Sequence, residues 1–246
     1  MKIIRNRMNY LKIAEILNLG IEDDIVAAEI LNELIESMEE TMELIQIRIE
    51  NAPVIVFGAG PSLEGDIKNM IKWGLHKKCV LVAADGAAEA LLWREIVPYA
   101  VVTDLDGDIN SLLRTNLLGS IAVVHAHGDN IGLLREHVPQ LKRILGTTQV
   151  CPIGRLHNFG GFTDGDRAVF LAANFNPKVI GLCGMDFGTE IGKYSGSKDK
   201  EMKIKKLHIG KILLEELASK RRIINLTEKS VLEIERISAE EFAGLL

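Results

Sequence analysis

The stretch Tyr99-Ala100-Val101-Val102-Thr103-Asp104-Leu105-Asp106-Gly107-Asp108 decides how the rest of the chain is read. Its apolar run from Tyr99 to Val102 predicts a buried strand. Three carboxylates then follow at alternate positions: Asp104, Asp106 and Asp108. On a strand end or in a tight loop, this i, i+2 spacing can turn the side chains to one side. Carboxylates held that close repel each other unless a cation sits among them. Hard oxygen ligands at few positions suit Mg2+, which keeps some of its water and shares its shell with substrate phosphates. An EF-hand loop is excluded, because Ile109 stands where that loop requires Gly and no matching Glu follows. The alternative is that the Asp residues cap a helix starting near Ile109 and line a solvated turn.

Outward from this unit the same pattern repeats. Strand-length apolar runs occur at Val54–Phe57, Val80–Ala84, Ile121–His125, Arg143–Thr147 and Val179–Cys183, with a last one at Arg222–Leu226. Helical segments fall between them, at about Leu63–Trp73, Ala87–Arg94, Ile109–Asn116, Asn130–His137, Gly165–Asn174 and Lys200–Ser219. A short last helix starts at a Ser-x-x-Glu capping box, Ser238 and Glu241. Such repetition predicts an α/β, Rossmann-like, mostly parallel sheet with helices on both faces. Its ligands belong at the carboxyl ends of the strands, near a topological switch.

Pro53 divides this pattern from an N-terminal helical segment, giving expected domains at residues 1–52 and 53–246. A first helix ends before Gly20, and a longer one is expected from about Asp23 to Asn51. Ala28, Leu31, Ile35, Met38, Met42, Ile45 and Ile49 alternate by three and four along it, which forms a heptad seam. The seam predicts either a homodimer interface or a helix lying across its own domain. A net charge of −5 provides no general basic surface for nucleic acid. No apolar run reaches the length of a membrane span, and the N-terminus lacks the apolar stretch of a signal peptide. Cys79, Cys151 and Cys183 are scattered, without metal spacing, so a reducing cytoplasm is the expected compartment.

Polar clusters interrupt the pattern just after the strands. Gly58-Ala59-Gly60-Pro61-Ser62-Leu63 opens a helix and offers an anion site, with Gly58, Gly60 and Ser62 against the ligand. It is neither the dinucleotide fingerprint nor a P-loop, and a tight turn with Ser62 near the cap is the competing reading. Asp85-Gly86 follows the next strand, with small residues behind it. His125-Ala126-His127-Gly128-Asp129-Asn130 offers two His and an Asp but does not complete a zinc spacing. Thr147-Thr148-Gln149 is a small polar cluster, and Asn158 to Arg167 leads straight into a helix, with Asp164 able to cap or bind and Arg167 able to meet a phosphate. Gly188 to Lys200 reads as a mobile loop and a candidate lid, with Lys193 the expected phosphate contact.

Two resemblances emerge from these residues. The run Val82 to Leu91, with Val97-Pro98 and Thr103 to Asp108, resembles the catalytic half of thiamine pyrophosphokinases, although Tyr99 replaces the Asp after their Pro and no all-β second domain follows. Gly58 to Leu63, Thr103 to Asp108, His125 to Asn130 and Asn158 to Asp166 together resemble the archaeal 6-hydroxymethyl-7,8-dihydropterin pyrophosphokinases. That resemblance covers roughly residues 53–225. It implies transfer of diphosphate from ATP to a pterin alcohol, with release of AMP, in tetrahydromethanopterin synthesis. Mg2+ would then sit on Asp104, Asp106 and Asp85, with Arg167 and Lys193 steadying charge. Asp108 or Asp129 would receive the hydroxyl proton. Asn158, Thr148 and Gln149 are candidates for the pterin edge. The alternatives are a thiamine pyrophosphokinase-like protein, a glycosyltransferase-like nucleotide-binding protein, because a Gly-x-Gly-Pro-Ser-Leu run also occurs in related sugar transferases, and a non-catalytic nucleotide-binding module that dimerises through its N-terminal helix.

Overall fold

A computed structural model describes residues 10–35, 41–196 and 199–246. Three helices come first: α1 (Tyr10–Leu17), α2 (Ile21–Ile35) and α3 (Met42–Ile49). The alternating part follows as β1 (Pro53–Phe57), α4 (Leu63–Lys72), α5 (Leu75–Lys78), β2 (Val80–Ala84), α6 (Asp85–Leu92), β3 (Ala100–Thr103), α7 (Ile109–Leu117), β4 (Ile121–Ala126) and α8 (Ile131–His137). It continues through β5 (Ile144–Thr148), α9 (Asp164–Asn174), β6 (Val179–Cys183), α10 (Lys200–Ala218), β7 (Ile223–Asn225) and α11 (Ala239–Gly244). Among the described residues, no helix is long and apolar enough to cross a membrane.

The seven strands form one sheet in the order β5-β4-β3-β2-β1-β6-β7, and every pairing is parallel. The α/β expectation therefore holds. The strands are buried along their length, as a parallel sheet covered on both faces requires. Side chains alternate between two cores. Ile55 and Phe57 join Leu63, Ile67 and Leu91 from α4 and α6, whereas Val54 and Val56 join Phe170, Leu213 and Leu217 from α9 and α10. The chain runs outward from β1 to β5 and then returns to pair β6 with β1. The order reverses between β1 and β6, which opens a crevice at their carboxyl ends.

The heptad seam is resolved in favour of packing within the chain. Ala28, Leu31 and Ile35 of α2 lie in the core on one face of the sheet, and Ile45 and Ile49 of α3 lie in the core on the other. All five are at most 5% exposed. Met38 lies outside the described residues. The apolar stripe thus serves two opposite faces of one sheet. Each fully buried Ile or Leu contributes about 1.5–3 kcal/mol to that packing.

Candidate active site

The carboxyl ends of β2 and β3 bring the expected metal residues together. One carboxylate oxygen from each of Asp85, Asp104 and Asp106 lies within 4.8 Å of the others. Asp85 starts α6 and is buried. The hydroxyl of Thr103 donates to its Oδ2, and the backbone N–H of Leu105 donates to Thr103 Oγ1 at 2.8 Å. Leu105 adopts the left-handed conformation (φ 70°) with its side chain buried. A branched residue in that region is strained, and the strain is held by the surrounding core. The resulting turn leaves the flanking Asp104 and Asp106 in one cluster.

His127 secures Asp104. Its Nδ1 accepts the backbone N–H of Asp129 at 3.3 Å, which leaves Nε2 to donate to Asp104 Oδ2 at 3.3 Å. Asn130 ties the two loops together: its Nδ2 donates to the carbonyls of Asp104 and His125, each at 2.7 Å, and its Oδ1 accepts the N–H of His127 at 3.1 Å. Burial favours a neutral Asp104, but the hydrogen bonds with His127 and Asp106 prevail and hold it well below the usual carboxylate range. Its neighbours move the other way. Asp106 is pushed up to about 7 by the protein around its carboxyl and by Asp104, and burial raises Asp85 to about 6. Crowded carboxylates of this kind take up a proton or a cation. All-oxygen donors on three side chains fit Mg2+, with room for water and phosphate oxygens in the remaining positions.

Two openings meet at this cluster. A narrow crevice of about 100 Å3 lies at the β1/β6 switch, lined by Gly58, Gly60, Asp85, Gly86, Gly184 and Tyr194, among others. A wide cleft of about 950 Å3 lies over β3, β4 and β5, lined by Asp104, His127, Asp129, Gln149 and Arg167. Its far wall is Asn18, Leu19, Gly20, Asp23 and Asp24, from the N-terminal helices and their connection. Six residues border both openings: Asp106, Gly107, Thr163, Asp164, Gly196 and Lys203.

Several expected ligand residues are committed to the protein itself. The hydroxyl of Ser62 donates to Asp186 Oδ1 at 2.5 Å, which locks the turn after β1 to the loop after β6. A Cβ on Gly58 would meet Met185 Sδ and the carbonyl of Gly184, and one on Gly60 would meet Asp186 and the same carbonyl. These glycines are therefore needed for loop-on-loop packing, while they also line the crevice. Asp108 caps α7, accepting from the N–H and hydroxyl of Ser111 at 3.2 and 2.6 Å. Asp129 lies at the edge of the wide cleft, its side chain 90% exposed and its Oδ2 4.0 Å from His127 Nδ1.

Asn158 and Thr148 do not share the wide cleft with Gln149. Asn158 bonds to Val150 and Gly160, and Thr148 bonds to Val150; both line a small cavity of about 20 Å3 that Gln149 and Arg167 also border. Gln149 reaches the wide cleft and accepts from Arg167 at 2.7 Å. Asp164 begins α9, its Oδ1 is 3.9 Å from Arg167 Nη1, and burial raises it well above the ordinary range. Lys193 turns away to Glu64 at 2.7 Å and borders neither opening. The described part of its loop covers the narrow crevice, because a Cβ on Gly192 would meet the carbonyls of Ala59 and Gly60.

Sequence reading missed two contributors. Asp24, in the first turn of α2, accepts from Gly128 N at 2.8 Å, from Gln149 Nε2 at 3.0 Å and from the Tyr10 hydroxyl. No periodicity distinguishes it from Glu22 and Asp23, which also fit an acidic first turn. Lys203 sits in a lysine-rich helix whose face could be assigned only once α10 was docked.

The fold has a counterpart in a Maf glycosyltransferase from Magnetospirillum magneticum, with a TM-score of 0.54, 13% identity, and coverage of 83% of this chain and 39% of that one. At that identity the likeness concerns the fold alone. Sequence comparison is more specific. The chain is 42% identical to the 6-hydroxymethyl-7,8-dihydropterin pyrophosphokinase of Methanocaldococcus jannaschii, over 87% of this chain and 95% of that one. It is also 42% identical to the enzyme of the same name from Pyrococcus furiosus, over 87% and 93%. Over 61% of this chain and 63% of the other, identity to the Methanothermobacter thermautotrophicus protein of that name is 49%. The model of the family described as MptE-like, 6-hydroxymethylpterin diphosphokinase, matches residues 28–192. That span contains the acidic cluster, the crevice glycines and most of α2, and the chain belongs to the MptE-like 6-hydroxymethylpterin diphosphokinase family.

Proposed function

We propose that the protein transfers diphosphate from ATP to the hydroxymethyl group of 6-hydroxymethyl-7,8-dihydropterin and releases AMP. The observation that carries this reading is the meeting of two openings at Asp85, Asp104 and Asp106 in a chain of this family. Two substrates and one transferred group need that arrangement. The nucleotide suits the crevice at the β1/β6 switch, where α/β sheets bind such ligands. The pterin suits the wide cleft, whose polar wall Asp24, Gln149 and Arg167 build by bonding to one another.

In the reaction, the acceptor hydroxyl oxygen forms a bond to the β-phosphorus of ATP. The bond from that phosphorus to the α,β-bridging oxygen breaks, and AMP leaves with the bridging oxygen and its electron pair. Positioning and charge neutralisation do most of the work in such transfers. Asp85, Asp104 and Asp106 would hold Mg2+, which supplies charge stabilisation to the phosphate oxygens when bound. His127 keeps Asp104 aimed at the cluster, a role that outer hydrogen bonds commonly serve at metal sites. Arg167 is held by Gln149 beside Asp164 and offers a fixed guanidinium to phosphate. Asp129 is placed to receive the hydroxyl proton, since Asp108 is occupied in capping α7.

The motif resemblance supports a role for this step in tetrahydromethanopterin synthesis. Free thiols at Cys79, Cys151 and Cys183 suit a reducing cytoplasm. The test is to incubate the protein with ATP, Mg2+ and the pterin alcohol and to measure AMP and the pterin diphosphate. ATP bound without AMP release would refute the reading.

A further inference from the structure

The six residues that border both openings mark the place where the transferred group must lie. Asp106 and Asp164 are acidic, and Gly107, Thr163 and Gly196 are neutral. Lys203 is the one cation among the six. It stands in the first turn of α10, a helix of 19 residues capped by Asp199, whose side chain accepts from Met202 N at 3.0 Å. Among the described residues, no carboxylate lies within ion-pair distance of Lys203 or of Lys206, one helical turn further on in the wide cleft. The other basic side chains nearby are engaged: Lys193 with Glu64, Lys205 with Glu201, and Arg167 with Gln149. A half-buried ammonium without a partner, facing a cluster of carboxylates, is suited to an anion that brings its own counter-cation.

We propose that Lys203 is a catalytic residue of the diphosphate transfer, its ammonium contacting the diphosphate as that group passes from the narrow crevice to the wide cleft. This rests on the function proposed above and assigns to α10 the role that the sequence pointed to in Lys193. Charge builds on the α,β-bridging oxygen and the non-bridging β-oxygens as the bond to AMP breaks. A cation fixed at the junction stabilises that charge more than it stabilises either bound substrate. Lys203 and Asp106 border the same junction, which therefore pairs an anionic metal-binding side with a cationic one. Lys206 extends the cationic edge towards the pterin side, where the diphosphate product would rest.

The test compares Lys203→Met and Lys203→Arg with wild type, and uses Lys205→Met as the control on the outer face of the helix. Two measurements are made: AMP release under saturating substrates, and affinity for magnesium diphosphate by calorimetry. Lys203→Met should lower kcat on the order of a hundredfold or more. The KM for the pterin should change by less than about threefold, because uniform substrate binding is not what is lost. Lys203→Arg should recover part of kcat, and magnesium diphosphate should bind Lys203→Met about tenfold or more weakly than wild type. Thermal melts should be unchanged, since Lys203 has no ion-pair partner among the described residues to lose. A Lys203→Met variant that melts normally and keeps both wild-type kcat and wild-type diphosphate affinity would overturn the assignment while leaving the pyrophosphokinase reading intact. If wild type itself releases no AMP, the pyrophosphokinase reading fails, and the diphosphate affinities of wild type and Lys203→Met still decide whether Lys203 binds the anion.

Discussion

The narrow crevice and the wide cleft share one acidic junction but are built differently. The crevice is made by backbone: the turn after β1 and the loop after β6 touch through glycines, and Asp186 and Asp66 fasten them by accepting from Ser62 and from Gly184 N. The cleft is made by side chains brought from far apart in sequence, with Asp24 of α2 joined to Gly128 and Gln149, and Gln149 to Arg167. A site made of backbone follows from the topology of the sheet. A site made of distant side chains depends on how added helices dock. The first should tolerate polar substitution and fail on added volume; the second should do the reverse.

The largest effect is expected at the junction, where both regions fail together. Asp106→Asn should lower AMP release by a hundredfold or more, on the order expected for loss of a metal-clamping charge. Its melting temperature should hold or rise, because a repelled carboxylate is removed. Retained turnover at limiting Mg2+ would show that chemistry does not occur where the two openings meet.

Gly60→Ala should separate the two regions. The added Cβ must push on Asp186 and on the carbonyl of Gly184, so the crevice floor shifts. Nucleotide affinity should fall on the order of tenfold, while pterin affinity stays near wild type. Calorimetry with each ligand alone reads this, and an equal loss of both would mean that the openings are not independent.

Asp24→Ala should do the converse at smaller cost. It leaves Gly128 N without its acceptor and Gln149 Nε2 with only the Tyr10 hydroxyl, and an unmet donor of this kind typically costs about 1–3 kcal/mol. Pterin KM should rise several-fold with nucleotide affinity unchanged, and Asp24→Asn should recover part of the loss. An unaltered pterin KM in Asp24→Ala would remove α2 from the site.

The smallest effect on turnover is expected at Asp66, behind the crevice, where the change appears in stability. Burial raises Asp66 from 3.8 to about 6, although Gly184 N donates to it. The folded state therefore keeps a proton that the unfolded chain has released. The stabilisation is fully present below about pH 4 and is lost as pH rises through about 6. Asp66→Asn, which holds no titrating proton, should flatten that part of the stability curve while AMP release stays near wild type. Parallel curves for the two proteins between pH 4 and 7 would show that Asp66 titrates normally.

The sequence by itself determined the sheet. Each apolar run became a strand within one or two residues, because a strand buried on both faces can only be an apolar run. It also determined the acidic cluster, since Asp85 lies at the end of one strand and Asp104 and Asp106 at the end of its neighbour, and parallel pairing sets those ends side by side. Tertiary structure decided which of the remaining polar residues face a ligand. Asp108 and Asp129 are equivalent carboxylates in the sequence, yet one caps a helix and the other stands exposed in the cleft beside His127. The heptad seam suits a partner helix as well as a sheet, and only docking divided it between two faces of this one. Lys193 and Lys203 belong to one lysine-rich stretch, and the direction of α10 left the second at the junction while Glu64 drew the first away. Local pattern records whether a residue is buried in its own element. The partner of a polar side chain is supplied by another element, and sequence distance carries no information about that.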